Sequence, residues 1–448
     1  MRIEEIVKLE PKEAVRELKR KEVSVRPWEE LVKEYDPKQH PVMDKSIYPD
    51  KVTEKGIEMV TRITYDLQRL ATKRMSELVC GVPVKRLYEE MDEQSSRVEA
   101  VFANNRIDSV NVERTTMLFA SCEVFTLWYS VEGENELYGF KAGDKIRCRN
   151  FSPMNGYELY PLFDEGGDMI AMSVQSERRV GSESVRILDT YTNDKHLRYE
   201  SKGDDWRLVV DETHTIGKIP GVYIHRPTPI WEDTSPLVYE MEWAMSRNGN
   251  YLRRNAKPLF CINSDTDIRF GDEAGGVNEA RSVVLLPQGA SAGYVTWSQA
   301  VESLKFYISE LKQSFFSQLQ IPDWSYESIK STPMSGEARK QLFIDAHLKV
   351  RDESGRLMEA FSREVNVVKA MVEMIGGGDC SAVQAEIEIT PYSVNDDKDT
   401  IQNLSLAVQN GLVSRREAIQ ILDWSNDPEE TLREIMEESK VDAMEASY

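Results

Sequence analysis

The side chains best suited to metal binding or nucleophilic attack are five histidines (His40, His196, His214, His225, His347) and five cysteines (Cys80, Cys122, Cys148, Cys261, Cys380). A zinc site wants ligand pairs at short fixed spacing, and none of these residues is so placed. His214 and His225 flank a stretch that reads as a hairpin and could meet in space. With nearby acids they would make a metal-dependent hydrolase site, the less favoured alternative. The cysteines are odd in number and contain no C-x-x-C pair, so they read as buried free thiols. The acidic string Asn395-Asp396-Asp397-Lys398-Asp399 could be drawn around Mg²⁺, but it reads better as the solvated cap of a following helix. No G-x-x-x-x-G-K-[ST], G-x-S-x-G, H-E-x-x-H or G-x-G-x-x-G is present. No cofactor, no metal and no enzyme activity are expected.

The remaining candidate chemistry is electrostatic. A net charge of −21 over 448 residues argues against a tight grip on DNA, which relies on a cationic surface and counterion release. It is compatible both with a wall that surrounds a duplex and lets it slide, because an acidic surface repels phosphates, and with an ordinary acidic cytosolic protein. Composition does not choose between them. The polar stretch 321–334 is longer than a helical hairpin needs, and reads either as a functional loop or as an ordinary surface connection. No run reaches the roughly 18 apolar residues of a membrane span, and Met1-Arg2-Ile3-Glu4-Glu5 carries acid where a signal peptide is basic. The chain is expected to be cytosolic when made, with no membrane partner.

The elements that must position these residues can be read from periodicity. Residues 1–50 carry a short helix at 11–21 and then an irregular arm broken by prolines. Residues 54–79 place Ile57, Val60, Ile63, Leu67, Leu70, Met75 and Leu78 mostly at three- and four-residue steps, which predicts one amphipathic helix. Helices follow at 95–104 and 110–121. Between 123 and 224, β-rich runs at 124–131, 146–149, 169–174, 184–191, 196–201, 206–210 and 221–225 alternate with turns at Glu132-Gly133, 164–168 and 202–205. A helix at 234–255 opens on Ser235-Pro236. The glycine-bearing stretch 257–296 reads as small and mixed, with a strand at 282–286. Val301, Leu304, Ile308, Leu311, Phe315 and Leu319 trace one face of the next helix, whose other side carries Lys305 and Lys312. The longest pattern, 335–375, would run roughly 60 Å, with Gly355 a candidate kink and Gly376-Gly377-Gly378 the stop. A strand at 385–390 and three short helices close the chain, one opened by a Ser414/Glu417 capping box and the last by Asp427-Pro428. The class is α+β.

This order of parts, with several local strings, resembles the portal proteins of long-tailed double-stranded DNA phages. Met75-Ser76-Glu77-Leu78-Val79-Cys80-Gly81-Val82-Pro83-Val84 is similar to that family's helix ending in "G-x-P". Gly217-Lys218-Ile219-Pro220-Gly221-Val222 resembles its "G-x-I-P-V" turn. Ile321-Pro322-Asp323 followed by Ser335-Gly336-Glu337-Ala338 resembles its loop and "S-G-x-A" helix start. Asn410-Gly411-Leu412-Val413-Ser414 and Asp427-Pro428-Glu429-Glu430 resemble its "G-L-I-S" and "D-P-x-x-E" segments. Glu417 stands where the family often has threonine, and the chain is shorter than many relatives.

The resemblance implies a structural virion protein forming a ring, of twelve in the family, at one capsid vertex for genome packaging and ejection. Residues 1–232 would be the arm and wing, 233–256 and 297–320 the stem helices and 257–296 the clip. Residues 321–334 would be the tunnel loop, 335–378 the spine of the wing and 379–448 the strand and crown. DNA-channel candidates are Lys330, Ser331, Ser328, Lys312 and Lys305, with Ile321, Pro322, Asp323, Ser335 and Gly336 shaping the loop. Clip candidates for the motor or adaptor are Asp267, Arg269, Asp272, Glu273, Glu279 and Arg281. Implied partners are copies of itself, transient duplex DNA, terminase, a head-completion adaptor, and the major capsid and scaffolding proteins. Another minor capsid or scaffold component is the second alternative.

Overall fold

In the computed structural model the described residues are 3–437, apart from 55, 181–182, 204, 256–258, 264–290, 296–300, 324–342, 393–396 and 423–429. The mixed α+β class is as expected. In chain order the elements are helices α1 (Ile3–Ile6), α2 (Pro11–Leu18) and α3 (Trp28–Tyr35), the hairpin β1 (Lys51–Thr53) and β2 (Gly56–Glu58), and α4 (Leu67–Cys80). Next come β3 (Lys85–Tyr88), α5 (Glu93–Asn104), α6 (Ile107–Ser121), β4 (Glu123–Asn135), β5 (Ala142–Phe151), β6 (Glu158–Phe163) and β7 (Met169–Val180). Then β8 (Glu183–Tyr191), β9 (Lys195–Lys202), β10 (Asp205–Thr213), β11 (Gly221–His225), α7 (Ser235–Asn255), β12 (Leu259–Asn263), β13 (Ser291–Val295) and α8 (Val301–Leu319). A long helix, Ile344–Met374, precedes β14 (Ala385–Glu388) and the short helices Asp397–Gln409 and Arg415–Leu422.

The body is layered. A five-stranded antiparallel sheet, β10-β9-β8-β7-β6, carries α1 and α2 on one face, where Ala14, Val15 and Leu18 meet Leu162, Leu188 and Leu197. Its other face meets a three-stranded sheet, β11-β4-β5, through Phe125, Leu127, Leu159, Met172 and Val174. Helices α4, α5, α6 and the long helix cover the far face of that second sheet. Strand β4 is therefore a central layer, and its unbroken run Val124-Phe125-Thr126-Leu127-Trp128 is buried on both sides. This is the pattern expected of a strand with no solvated face.

The helical layer is pinned by charge. Glu364 of the long helix accepts two bonds from Arg114 of α6 at 2.7 Å each and a third from Trp128 Nε1 of β4 at 2.9 Å. Both charged residues are almost fully buried, and the Arg114 guanidinium lies 4.4 Å from the Phe361 ring centroid. A buried charge holds its place only when its partners are fixed this well. The long helix runs through Gly355 unbroken and ends where the glycines were expected to stop it. Gly376 (φ +93) and Gly378 (φ +84) take left-handed backbone, and a Cβ on Gly377 would lie 2.3 Å from Val372 Cγ1.

Several expectations are corrected. The helix read over 54–79 begins only at Leu67; residues 51–58 form the β1–β2 hairpin and 59–66 are extended along α7. The competing partner is tertiary: side chains of α7 take the N–H groups of Thr61, Ile63 and Tyr65. The irregular arm contains α3, whose Leu31 and Tyr35 are drawn into the core. Glu132-Gly133 is not a turn: β4 continues to Asn135 through a bulge opposite β5. Strand β6 was missed because of Pro161, which a sheet tolerates on an edge strand such as this. His214 and His225 do not bracket a hairpin, since β10 and β11 belong to different sheets. The part of the long helix expected from 335 to 342 and the strand expected at 282–286 lie outside the described residues.

Candidate functional site

Helices α7 and α8 are the only long elements flanking the two-stranded ribbon β12–β13 among the described residues, and they pack as a pair. Ile308, Leu311, Phe315 and Leu319 of α8 join Leu237, Val238 and Met241 of α7 in the main core. That burial is confined to one end. Towards the ribbon, Leu252 is 54% exposed, Phe306 66% and Tyr307 43%. Tyr307 donates to Glu240 of α7 at 3.2 Å, tying the two helices where little apolar area does.

The root of α7 is held by backbone capture. Glu242, Ser246 and Asn250 stand one helical turn apart and accept from the backbone N–H groups of Tyr65 (2.8 Å), Ile63 (2.9 Å) and Thr61 (2.6 Å). Four helical residues rise about 6 Å, and two extended residues about 6.7 Å. The helix thus acts as a sheet edge for residues 61–65, which is why that segment is not helical. Gly249 allows the approach, since a Cβ there would lie 2.8 Å from Thr61 Cγ2. Glu242 also meets buried His40, at 2.7 Å from Nδ1, while His40 Nε2 faces the Glu34 carbonyl at 2.9 Å. Burial lowers the His40 pKa, but the Glu242 carboxylate and the carbonyl more than offset it, and the net shift is upward.

The root of α8 is a helix end of high definition. Gln320 takes left-handed backbone (φ +55). The N–H of Ile321 returns to the Phe316 carbonyl and that of Gln320 to Ser317, both at 3.1 Å. This is the double-bonded Schellman termination, with Ile321 and Phe316 buried as its apolar contact. Lys349 of the long helix donates to the last carbonyl, Leu319, at 2.7 Å. Burial, with Arg226 nearby, pushes the Lys349 ammonium down to about 8. Just beyond, Asp323 receives Lys312 at 2.7 Å and Arg74 at 3.6 Å, and Arg74 also donates to the Pro322 carbonyl at 3.2 Å. Arg74 and Lys312 both lie over the Phe316 ring, at 5.0 and 5.8 Å.

Of the residues singled out from sequence, Ile321, Pro322, Asp323 and Lys312 converge on this helix end. Lys305 stands on the exposed side of α8, 3.4 Å from Glu302. Lys330, Ser331, Ser328, Ser335, Gly336, Asp267, Arg269, Asp272, Glu273, Glu279 and Arg281 lie outside the described residues. Sequence reasoning missed Arg74, Lys349 and His40. Each is tied to a partner far along the chain (Asp323, Leu319 and Glu242 respectively), and no local spacing marks it. Of the two histidines considered for a metal, His214 bonds the Thr192 carbonyl (3.1 Å) and His225 stacks on Tyr223 (5.5 Å). Among the described residues no cluster of three or more His, Cys, Asp or Glu could hold a metal ion.

Comparison with curated proteins finds no match. Among solved structures the chain is similar to one in the neck of a native gene transfer agent particle computed with C12 symmetry, at TM-score 0.45 and 12% identity, covering 91% of this chain and 96% of that one. It is also similar to one in the virion of that native particle (TM-score 0.43, 13% identity, 89% and 93% covered). A third is in the neck of the empty particle (0.41, 12%, 89% and 95%). The family model for phage portal protein, SPP1 Gp6-like, matches residues 25–444. The chain therefore belongs to the SPP1 Gp6-like family of phage portal proteins, and is a structural part of the virion rather than an enzyme.

Proposed function

We propose that copies of this chain assemble into a ring, of twelve as in the family at large, that forms the DNA channel at one capsid vertex. The observation that carries the reading is the α7/α8 pair. Its inner end is clamped to the body by His40, Glu242, Lys349 and Asp323, while Leu252, Phe306 and Tyr307 remain exposed. Side-by-side packing of such pairs around an axis would bury those side chains and leave a hole.

In this reading residues 233–256 and 297–320 are the stem, 257–296 the clip, 321–334 the tunnel loop, and 1–232 with 335–378 the wing; residues 379–448 supply the crown. The clamp at Asp323 fixes where the tunnel loop begins. A lysine within it, Lys330, and the solvated Lys305 would touch phosphate briefly, repeated around the ring, while an overall charge of −21 keeps the duplex from adhering. The chain holds no P-loop, so a terminase docked on the clip would supply the energy. A head-completion adaptor would replace it later, with capsid and scaffolding proteins around the wing and assembly taking place in the host cytoplasm.

Electron microscopy of the purified full-length chain tests the reading. Closed rings with a central hole wide enough for a duplex are expected. A strict monomer at high concentration, checked by light scattering, would sink it.

A further inference from the structure

We propose that neighbouring copies meet through an acidic knob, Glu89-Glu90-Met91-Asp92-Glu93, of one copy seated on a cationic strip, Lys145, Arg147 and Arg149, of the next. The inference rests on the ring reading and names a contact for it.

The strip follows from strand register. Leu127, Tyr129 and Val131 of β4 face Arg149, Arg147 and Lys145 of β5, and alternate residues of a strand share one face about 6.7 Å apart. Phe125 and Leu127 on this face are buried against the five-stranded sheet. Beyond its edge the same face emerges into solvent, with Tyr129 37% and Val131 44% exposed. Arg149 lies over the rings of Phe151 (5.1 Å) and Tyr157 (5.5 Å) and donates to the Tyr157 hydroxyl at 2.6 Å, a neutral partner that positions its charge without cancelling it. None of the three cations is ion-paired among the described residues. Of the acids of these two strands, Glu132 and Asp144 are paired in register and alternate onto the opposite face, Glu134 is paired with Lys141 at 3.7 Å, and Glu123 is taken by Lys21 at 2.7 Å. Asp189 of the facing sheet is taken by Arg198 (2.8 Å) and His196 (2.9 Å). In a chain of net charge −21 this is a local inversion of sign.

The knob joins β3 to α5. All five of its residues are exposed, with Met91 at 65%. The turn is rigid: Asp92 caps α5 by accepting from Ser95 N–H at 2.7 Å, and Ser95 Oγ donates to the Glu90 carbonyl at 3.0 Å. Glu93 is paired within the chain to Arg97, whereas the carboxylates of Glu89 and Glu90 have no partner among the described residues. An apolar centre with an acidic rim matches an apolar pair, Tyr129 and Val131, with a cationic rim. Apolar centre and polar rim is the ordinary anatomy of a protein interface.

The two patches lie on opposite sides of one sheet. Helix α5 packs through Val98, Val101 and Phe102 against the face that carries Trp128 and Ile146, with Phe102 edge-on to Trp128 at 5.7 Å. The strip is on the other face. Two different, complementary patches on opposite sides make a head-to-tail contact, the kind that closes a ring, rather than the self-matching contact of a two-fold dimer. Two acidic copies repel each other as wholes, so association needs such a local pairing of opposite sign.

The test is charge reversal in the full-length chain, read by mass photometry over a sodium chloride series with circular dichroism as the fold control. Lys145→Glu with Arg147→Glu reverses the strip; Glu89→Lys with Glu90→Lys reverses the knob. Each pair alone should reduce rings at least tenfold at low salt. The fourfold variant, and an equal mixture of the two double variants, should both restore them, because every junction again joins opposite charges. A misfolded variant cannot be rescued by mixing. Double variants that assemble like the parent, or a folded fourfold variant that does not, overturn the contact while leaving the ring reading intact. A parent chain that never forms rings overturns the ring reading, and this contact falls with it.

Discussion

Two long helices of this chain meet opposite fates. The helix Ile344–Met374 is buried at intervals from Ala346 to Val372, and even its charges Glu364 and Lys369 are enclosed. Helix α8 is buried only near its end, at Phe315, Phe316 and Leu319, while Phe306 stands in solvent. Beyond its first turns, where Ile344 and Leu348 are half exposed, the first finds its partners within the body, including Arg114, Trp128 and the carbonyl of Ser381 for Lys369. The second is clamped at its root and left incomplete beyond it. A helix that the monomer finishes is a scaffold; one that it leaves unfinished is a surface for assembly. Exposed apolar groups in contiguous patches mark such surfaces.

The comparison breaks most directly at Glu364. Replacing it by alanine strands the buried Arg114 charge and the Trp128 N–H, and should cost about 3–5 kcal/mol of stability, read from the urea midpoint. A loss below about 1 kcal/mol would mean that the long helix is not the scaffold described. A sharper version contrasts two phenylalanines of α8. Phe315→Ala should destabilise the folded chain by about 3–5 kcal/mol, whereas Phe306→Ser should leave the monomer within about 0.5 kcal/mol and weaken rings instead. Equal effects on monomer stability would erase the distinction between root and free end.

The smallest effect concerns pH at the root of α7. The His40 pKa is raised in the folded chain by Glu242, so its contribution is fully present below the ordinary histidine value of about 6.5. It is lost as pH rises through the raised folded value. The stability advantage of the parent over His40→Gln should therefore be largest at about pH 6 and shrink towards about pH 9. An advantage that does not change with pH would show that the ion pair contributes nothing and that only the shape of the ring matters.

Much of the architecture was readable locally. Helix α7 was expected at 234–255 and is found at Ser235–Asn255; β11 was expected at 221–225 and lies there. The Ser414/Glu417 capping box forms in both directions, at 3.1 and 2.9 Å. These features depend on neighbours within a few residues: a cap, a glycine stop, a proline start, a two-residue alternation. The portal family was legible for a related reason, since the order of such local strings is itself a sequence property.

What sequence could not supply are the pairings that join distant positions. Residues 61–65 continue a helical pattern, yet they extend along α7 because Asn250, Ser246 and Glu242 offer the N–H groups of Thr61, Ile63 and Tyr65 better partners than a helix would. Arg74 looks like any polar-face arginine until Asp323 arrives beside it, and His40 is one scattered histidine until Glu242 closes on it. Local periodicity determined which elements exist, because it follows from backbone geometry over a few residues. Which charges neutralise one another, and which apolar side chains remain outside, was decided only by the packing of the whole chain, because burial and ion pairing depend on what lies nearby in space.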